Sequence, residues 1–179
     1  MEIVSHTECN DIKIIKAFSS EDVRGGFTKF FHHDTFVQAG IEMDIKEVYY
    51  SVSQRNVIRG MHFQLPPYDH AKLVHVISGS AIDVVVDLRK NSATYKKCIV
   101  VPLNGEMKQA VYIPKGFAHG FKALEDGTVM QYSVSTVYNR EADFGIRYDS
   151  IGFNWNCEGV IVSERDSEFI GLEEFDSPF

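Results

Sequence analysis

Short runs of apolar or alternating residues, separated by turn residues, make up most of the chain. Eight of these runs predict strands, at residues 28–31, 45–52, 72–78, 81–88, 96–101, 109–113, 117–124 and 129–137. One short helix is predicted over residues 34–39, capped by Asp34 and ended by Gly40. Many short strands with little helical periodicity are typical of an all-β sandwich or barrel. We expect a single domain spanning residues 1–179, with an acidic, irregular tail from Ser163 whose aromatic residues pack back on it.

Strand parity places three polar residues on faces that are otherwise apolar. Because residues i and i+2 of a strand share a face, Lys72, His119 and Tyr132 lie in line with apolar neighbours and point into the predicted core. A core tyrosine or histidine usually has a structural role, but burying an unpaired lysine is costly. Together with Arg59 and His62, the three predict a cationic pocket that contains a base. Such a pocket suits an anionic substrate.

Composition and charge limit the partners of such a pocket. A net charge of −7 argues against nucleic acid or an anionic membrane as the partner. Cys9, Cys98 and Cys157 are widely separated, which fits reduced thiols and a cytoplasmic location. Residues 1–16 alternate polar and apolar positions and carry acids, unlike a signal peptide. No apolar run approaches the roughly 20 residues that a membrane span needs.

A metal site is the alternative use of the histidines. Barrels of this kind often bind a metal through a His-x-His pair and a later histidine, and a Pro-x-Gly-x-x-His segment ending at His119 has the shape of the later half. The first half of this metal-binding motif, the His-x-His pair, is missing, because Gln64 occupies the position of the second histidine after His62. A site made from His62, His119 and His75 would place a divalent cation near Lys72, whose charge opposes it. The sequence therefore predicts no metal site.

With these residues identified, the chain resembles the dTDP-4-dehydrorhamnose 3,5-epimerase family of sugar-nucleotide epimerases, whose members are cupin-type jelly rolls. The resemblance extends from about residue 22 to about residue 166. Its most specific part is the stretch 58–64, which is similar to the family's Leu-Arg-Gly-Leu-His-Phe-Gln run. Other matching segments follow in the expected order, at residues 22–27, 71–74, 83–89, 113–121, 142–148 and 163–166. The resemblance implies an all-β, cupin-type jelly-roll β-sandwich or barrel with a few short helices.

The resemblance also implies an enzyme that inverts C3, C5 or both carbons of a nucleotide-linked 4-keto-6-deoxy sugar. Inversion next to a ketone needs a base on one face, an acid on the other and stabilisation of the enolate between them. His62 is the implied base, since imidazole titrates near neutral pH, and Asp166 is the implied partner that orients it. Tyr132 would return the proton, and Lys72 would stabilise the oxyanion. Neither an organic cofactor nor a metal is implied.

Further residues are expected to bind the substrate. Arg59 and Arg24 would hold the diphosphate, although an arginine in an Arg-Gly-Gly turn, taken alone, is typical of a solvated loop. The other predicted substrate-binding residues are His119, Phe27, Glu47, Gln64, Tyr138 and Arg165. The resemblance implies a homodimer in which the N-terminal segment crosses to the partner, so that Arg24 and Phe27 serve the neighbouring site. It also implies deoxysugar biosynthesis for capsular or lipopolysaccharide carbohydrate.

Two departures from the family pattern concern the nucleotide end of the pocket. Residues 47–51 are Glu-Val-Tyr-Tyr-Ser where the family usually has Gln-x-Asn-x-Ser, and Lys29 stands where Glu is common. The carboxylate of Glu47 is able to accept hydrogen bonds from guanine, so a GDP-linked 4-keto-6-deoxy-heptose is an alternative to a dTDP-linked hexose. Two other functions stay open: a sugar-nucleotide 3,4-ketoisomerase and a non-catalytic sugar-nucleotide-binding cupin. The complete base-and-acid set argues against the second of these, since a binder needs no base facing an acid.

Overall fold

Thirteen strands and three short helical segments form the part of the chain that the computed structural model describes, residues 1–156 and 158–179. The strands are β1 (Glu2–Ser5), β2 (Lys13–Lys16), β3 (Phe18–Asp22), β4 (Gly25–Lys29), β5 (Glu47–Ser53), β6 (Ile58–Gln64), β7 (Lys72–Ser78), β8 (Ser80–Asp87), β9 (Cys98–Asn104), β10 (Gln109–Ile113), β11 (Phe117–Ala123), β12 (Thr128–Val134) and β13 (Asp143–Gly145). The helices are α1 (His33–Gln38), α2 (Glu164–Ser167) and a 3-10 turn at Tyr148–Ser150. None of the helices described is long and apolar enough to cross a membrane. Cys9 and Cys98 carry free thiols, whereas Cys157, also expected to be reduced, lies outside the described residues.

The strands form two facing antiparallel sheets. The six-stranded sheet has the order β1-β2-β10-β7-β12-β5, and the five-stranded sheet has the order β13-β6-β11-β8-β9. β3 and β4 pair with each other as a separate hairpin. The all-β sandwich predicted from the short alternating runs is therefore confirmed.

The main core lies between the two sheets. β7 and β12 of one sheet and β11 of the other contribute alternate residues to one buried cluster, among them Val74, Met130 and Phe121. Removing such surface from water stabilises the fold by about 25 cal/mol per Å². Lys72 and Tyr132 have the same strand parity as Val74 and Met130, so they point inward as predicted.

Two further clusters cover the outer faces of the sheets. Phe36 of α1, with Ile41 and Met43 just after it, packs on the six-stranded sheet. Trp155 and Phe175 pack on the five-stranded sheet. The C-terminal tail therefore folds back on the sandwich, as its aromatic residues predicted.

The predicted strands agree with the observed ones to within a few residues, and those at 72–78 and 109–113 agree fully. The sequence does not predict β1, β2, β3, β6 or β13. β1 and β3 are almost entirely exposed, so they lack the alternation of buried and exposed residues that marks a strand. β13 is only three residues long, which is too short for any periodicity.

Two local predictions are wrong. α1 begins at His33 with His32 as its N-cap, so Asp34 lies in the first turn and does not cap the helix. Gly40 does end this segment, with φ of +72°, a left-handed conformation that glycine adopts without strain. The acidic tail is not irregular throughout, because Ser163 Oγ accepts a hydrogen bond from the backbone N–H of Asp166 at 3.1 Å and begins α2.

Candidate active site

A cavity of about 420 Å³ opens between the two sheets. Residues of β5, β7 and β12 line it from one sheet, and residues of β6 and β11 line it from the other. Nine of the twelve predicted site residues line this cavity: His62, Tyr132, Lys72, Arg59, His119, Glu47, Gln64, Tyr138 and Arg165. Asp166 contacts His62 without lining the cavity itself. Arg24 and Phe27 belong to the hairpin of β3 and β4 and do not line the cavity.

His62 of β6 is paired with Asp166 of α2. Its Nε2 lies 2.8 Å from Oδ1 of Asp166, while Oδ2 accepts the backbone N–H of Gly60 at 3.1 Å. Burial alone would raise the pKa of Asp166, but the hydrogen bonds from His62 and Gly60 outweigh it, so the pKa lies below its ordinary value. Because an ionised carboxylate only accepts hydrogen bonds, Nε2 is the nitrogen that donates to Asp166, and Nδ1 is the nitrogen left to act as the base. The pair is an oriented base.

Lys72 is the buried cation of the cavity. It extends from β7, and its Nζ donates to the backbone carbonyl oxygen of His62 at 3.0 Å. Burial lowers its pKa to about 8, although the carboxylates of Asp83 and Asp143 act in the opposite direction. An ammonium group has three N–H donors, and this is the one hydrogen bond that Nζ makes within the described residues. Lys72 can therefore donate to an oxygen of a bound substrate.

Tyr132 of β12 lines the cavity from the sheet opposite His62. Its hydroxyl lies 3.3 Å from the hydroxyl of Ser51, and the ring of Tyr49 stacks on it with 4.9 Å between the ring centroids. Burial raises the pKa of Tyr132 well above its ordinary value, and Asp83 adds to this effect. The phenol therefore keeps its proton at neutral pH and is available as an acid.

A second imidazole–carboxylate pair lies beside the first. His119 of β11 is the cross-strand neighbour of His62, and its Nε2 lies 2.7 Å from Oδ2 of Asp83 on β8. Burial lowers the pKa of His119 despite the nearby carboxylate, so the ring is neutral and Asp83 fixes its tautomer. Among residues 1–156 and 158–179, no group of three His, Cys, Asp or Glu side chains is placed to hold a metal ion.

The exposed rim of the cavity carries both charged and aromatic side chains. Oδ2 of Asp143 accepts from the hydroxyl of Tyr138 at 3.3 Å and pairs with Nη2 of Arg165 at 2.7 Å. Oε1 of Glu47 accepts the backbone N–H of Tyr138 at 3.0 Å. Within the described chain the second carboxylate oxygen of Glu47 makes no hydrogen bond, so it is available to a ligand.

Arg59 and Gln64, at either end of β6, are held in different ways. Nε of Arg59 donates to Ser53 Oγ at 3.0 Å and its Nη2 donates to a backbone carbonyl of β5, which fixes an exposed guanidinium at the cavity. The amide nitrogen of buried Gln64 donates to the carbonyl oxygen of Tyr68 at 2.8 Å, and its oxygen accepts from the backbone N–H of Asn139 at 2.6 Å. Gln64, which is predicted to bind substrate, lines the cavity, and these hydrogen bonds fix its side chain in the cavity wall.

The structure does not bring Arg24 and Phe27 to the cavity of their own chain. Both belong to the hairpin of β3 and β4. The side chain of Arg24 is 86% exposed and pairs with Asp22 at 2.6 Å. Phe27 is exposed and contacts Phe18 edge to face. Within one chain, neither residue lines the cavity.

Sequence reasoning missed several residues that contact the predicted ones. Tyr49 and Ser51 have the same strand parity as Glu47, so the alternation of β5 was the signal that indicated them. Asp83 has the parity of the buried Val85 on β8, which marks it as an inward carboxylate. Asp143 lies on the three-residue β13, where no periodicity could have indicated it.

Comparison with known proteins shows which proteins this chain is similar to. The family model described as dTDP-4-dehydrorhamnose 3,5-epimerase matches residues 6–174. The dTDP-4-dehydrorhamnose 3,5-epimerase of Methanothermobacter thermautotrophicus is 42% identical over 158 residues, which cover 86% of this chain and 85% of that protein. The enzyme of the same name from Escherichia coli K12 is 37% identical and covers 96% of this chain and 95% of its own.

A solved structure shares the fold. The dTDP-6-deoxy-D-glucose-3,5-epimerase of Legionella pneumophila, in complex with dTDP-4-keto-L-rhamnose, matches with a TM-score of 0.92 at 32% identity, covering 98% of this chain and 94% of that one. Such epimerases have the cupin-type jelly-roll fold, so the predicted fold class is confirmed. The chain therefore belongs to the dTDP-4-dehydrorhamnose 3,5-epimerase family of isomerases, as its sequence motifs indicated.

Proposed function

We propose that this chain epimerises a nucleotide-linked 4-keto-6-deoxy sugar at C3, C5 or both, by removing and returning a proton through an enolate. One observation carries the proposal: an oriented base and a protonated phenol line the same cavity from opposite sheets. His62, oriented by Asp166, belongs to the five-stranded sheet, and Tyr132 belongs to the six-stranded sheet. Membership of the epimerase family supports the same activity.

The proposed reaction follows from the chemistry of a ketone. The carbonyl group acidifies the C–H bonds at C3 and C5, and Nδ1 of His62 removes one of these protons. The electron pair of the broken C–H bond moves into the enolate, whose negative charge develops on the former carbonyl oxygen. Lys72 places its cation at that oxygen. Tyr132 then donates its proton to the carbon from the other face, which inverts the centre, and solvent restores both side chains.

The remaining cavity residues are assigned to the sugar and the diphosphate. Arg59 presents a fixed guanidinium, whose planar donors suit phosphate oxygens. Arg165 adds a second cation at the rim, held by Asp143. His119, neutral and fixed by Asp83, faces the sugar, and exposed Tyr138 offers a ring on which a nucleotide base can stack.

Two observations support different nucleotides for the substrate. The Legionella neighbour holds a dTDP-linked sugar, which supports a dTDP-linked hexose. The free carboxylate oxygen of Glu47 supports guanine, whose N1–H and amino group are donors, and hence a GDP-linked heptose. Calorimetry with dTDP and GDP separates the two, and much tighter binding of dTDP would exclude the guanine hypothesis.

Solvent deuterium incorporation tests the proposed reaction. The wild-type protein is incubated in D₂O with dTDP-linked hexose and GDP-linked heptose 4-keto sugars in parallel, and C3 and C5 are followed by NMR. Deuterium at these carbons together with inversion is the expected result. A ketoisomerase would instead move the carbonyl group, and a binding protein would catalyse no exchange. The absence of exchange with every such substrate would refute the enzymatic proposal.

We also propose that the protein works as a homodimer in which the N-terminal hairpin serves the partner's cavity. The support is that Arg24 and Phe27 are exposed on β3 and β4 and do not reach the cavity of their own chain. Mixing inactive Arg24→Ala and His62→Ala proteins after subunit exchange tests this arrangement. A mixed dimer would contain one complete site, so activity should return. If activity does not return although exchange has occurred, each cavity uses its own Arg24.

We place the activity in the cytoplasm, in deoxysugar biosynthesis for capsular or lipopolysaccharide carbohydrate. The support is the family membership and the free thiols of Cys9 and Cys98. Deleting the gene and analysing the surface carbohydrate of the host is the test. An unchanged carbohydrate would argue against this pathway.

A further inference from the structure

β5 forms one end of the six-stranded sheet and pairs with β12. Glu47, Tyr49 and Ser51 share one face of this strand and line the cavity. Tyr50, on the opposite face, is 68% exposed. The cavity face of β5 thus supplies side chains to the site, although the mechanism assigned above uses none of them for proton transfer.

Two of these side chains hold Tyr132. Tyr49 is directly opposite Tyr132 in the β5–β12 register, and the two rings stack with 4.9 Å between centroids and 18° between planes. Ser51 lies next to them, with its hydroxyl 3.3 Å from that of Tyr132. On another side, the ring of His119 meets Tyr132 edge to face, with 6.1 Å between centroids. Tyr49 is therefore the side chain that covers a face of the Tyr132 ring.

The orientation of Tyr132 matters because proton transfer depends on distance and direction. A donor must lie within hydrogen-bond reach of the accepting atom, and small misplacements of a catalytic group lower the rate steeply. A tyrosine ring that is free to turn about its side-chain bonds spends less time in the productive position. Residue 49 is also a position at which this chain departs from the Gln-x-Asn-x-Ser run of the family, since an aromatic ring replaces an amide.

The phenol of Tyr49 keeps its proton at neutral pH, as that of Tyr132 does, so its pKa does not distinguish the two residues. Burial raises its pKa to about 12, and the carboxylates of Glu47 and Asp143 act in the same direction. Its hydroxyl makes no hydrogen bond within the described residues, in contrast to that of Tyr132. The contact that distinguishes Tyr49 is the ring stack, and not its hydroxyl group.

We propose that Tyr49 is a positioning residue that holds the Tyr132 ring in the orientation from which its hydroxyl protonates the enolate. This inference rests on the proposed function, in which Tyr132 is the acid and His62 is the base. Once the enolate has formed, it has two outcomes. His62 returns a solvent-derived deuteron to the original face, which gives exchange without inversion, or Tyr132 delivers one to the other face, which gives inversion. Loss of the stack should shift this partition toward His62.

The test measures the ratio of deuterium exchange in recovered substrate to inversion in product, in D₂O. Tyr49→Asn and Tyr49→Leu remove the ring, Tyr49→Phe keeps it without the hydroxyl, and Tyr50→Asn changes the adjacent exposed tyrosine as a matched control. Tyr49→Asn and Tyr49→Leu should raise the ratio by about ten- to a hundred-fold with little change in KM. Tyr49→Phe and Tyr50→Asn should keep the wild-type ratio. Thermal melting of every variant shows which of them are folded.

Three results would overturn the inference while leaving the proposed function intact. The first is a wild-type ratio in folded Tyr49→Asn or Tyr49→Leu while Tyr132→Phe raises it. The second is an equal change in Tyr49→Phe, which would assign the effect to the hydroxyl. The third is a higher KM at an unchanged ratio, which would make Tyr49 a substrate contact. Wild-type protein that catalyses neither exchange nor inversion would instead refute the proposed function, and the inference with it.

Discussion

Lys72 and His62 come from different sheets, and the buried Nζ of Lys72 donates to the backbone carbonyl oxygen of His62 at 3.0 Å. This hydrogen bond fixes the cation beside the strand that carries the base. In the proposed reaction, one group creates the enolate and the other stabilises its charge, so their relative position determines the rate. The arrangement requires a buried positive charge, which is unfavourable for folding.

Lys72→Met should abolish activity and stabilise the fold. The folded pKa of Lys72 is about 8 against an ordinary value of 10.5, so the folded state binds this proton less tightly than the unfolded state. The cost is present in full below pH 8 and disappears as the pH rises toward 10.5. After allowing for the lost hydrogen bond, we expect a gain on the order of 2 kcal/mol in the free energy of unfolding at pH 7. Urea denaturation measures it, and a lower stability would contradict the assignment.

Activity should decrease as the pH rises through about 8, because Lys72 then loses its proton and its charge. Asp83 opposes the lowering of the pKa of Lys72, so Asp83→Asn should move this alkaline limb to lower pH. Rate–pH profiles of the two proteins provide the measurement. Asp44→Asn, a change at an exposed surface carboxylate, is the control and should leave the profile unchanged. An unshifted limb in Asp83→Asn would assign the limb to another group.

His62→Ala should lower exchange at both C3 and C5 by about 10²- to 10⁴-fold, because the side chain proposed to remove the proton is lost. Nucleotide binding, measured by calorimetry, should remain nearly intact. Asp166→Asn keeps the shape of the partner but removes its charge, so the His62 tautomer is no longer enforced and the rate should fall roughly 10²-fold or more. Full exchange activity in His62→Ala would mean that a different base acts.

Tyr132→Phe should permit exchange but impair inversion, since His62 can still remove a proton and return a solvent-derived one to the same face. The measurement is the rate of deuterium incorporation into recovered substrate compared with the rate of product formation. Ser51→Ala removes only the hydroxyl that lies 3.3 Å from the phenol, and it should reduce inversion less. Equal losses of exchange and inversion in Tyr132→Phe would contradict the assignment of the two faces.

Gly60→Ala should destabilise the protein strongly and disturb the base. A Cβ at this position would lie 2.6 Å from Cα of Gly120 on β11, and the φ of +147° is strained for any side chain. We expect a loss of about 3 kcal/mol or more in the free energy of unfolding. Gly152→Ala is the matched control, because its φ is +73° but its Cβ would meet open space, so only about 1 kcal/mol should be lost. Similar losses in both variants would show that the contact with Gly120 relaxes.

The sequence predicts more of the fold than of the contacts within the site. Eight strands follow from alternation, which is a local property with a period of two residues. The same alternation gives the inward direction of Lys72, His119 and Tyr132, and the structure has all three lining the cavity. β3 was not predicted because its side chains are exposed on both faces, so no periodic burial marks it.

Contacts between distant residues were decided by the tertiary structure. Asp166 and His62 are 104 residues apart, and no periodicity relates them; the resemblance to a family supplied that pair. Asp83 and Tyr49 received no role from the sequence, although each lies on a strand that was predicted. The contacts of Asp83 with His119 and of Tyr49 with Tyr132 depend on the register between neighbouring strands, which the tertiary structure gives.

By itself, then, the sequence determined eight of the thirteen described strands and the faces that those eight bury, because both depend on neighbours a few residues away. Only the tertiary structure decided that His62 and Tyr132 stand on opposite sheets across one cavity, that Tyr49 stacks on Tyr132, and that Arg24 lies outside it. These relationships depend on strand order and register. Both are set by pairing between strands that are distant in the sequence, so no local pattern predicts them.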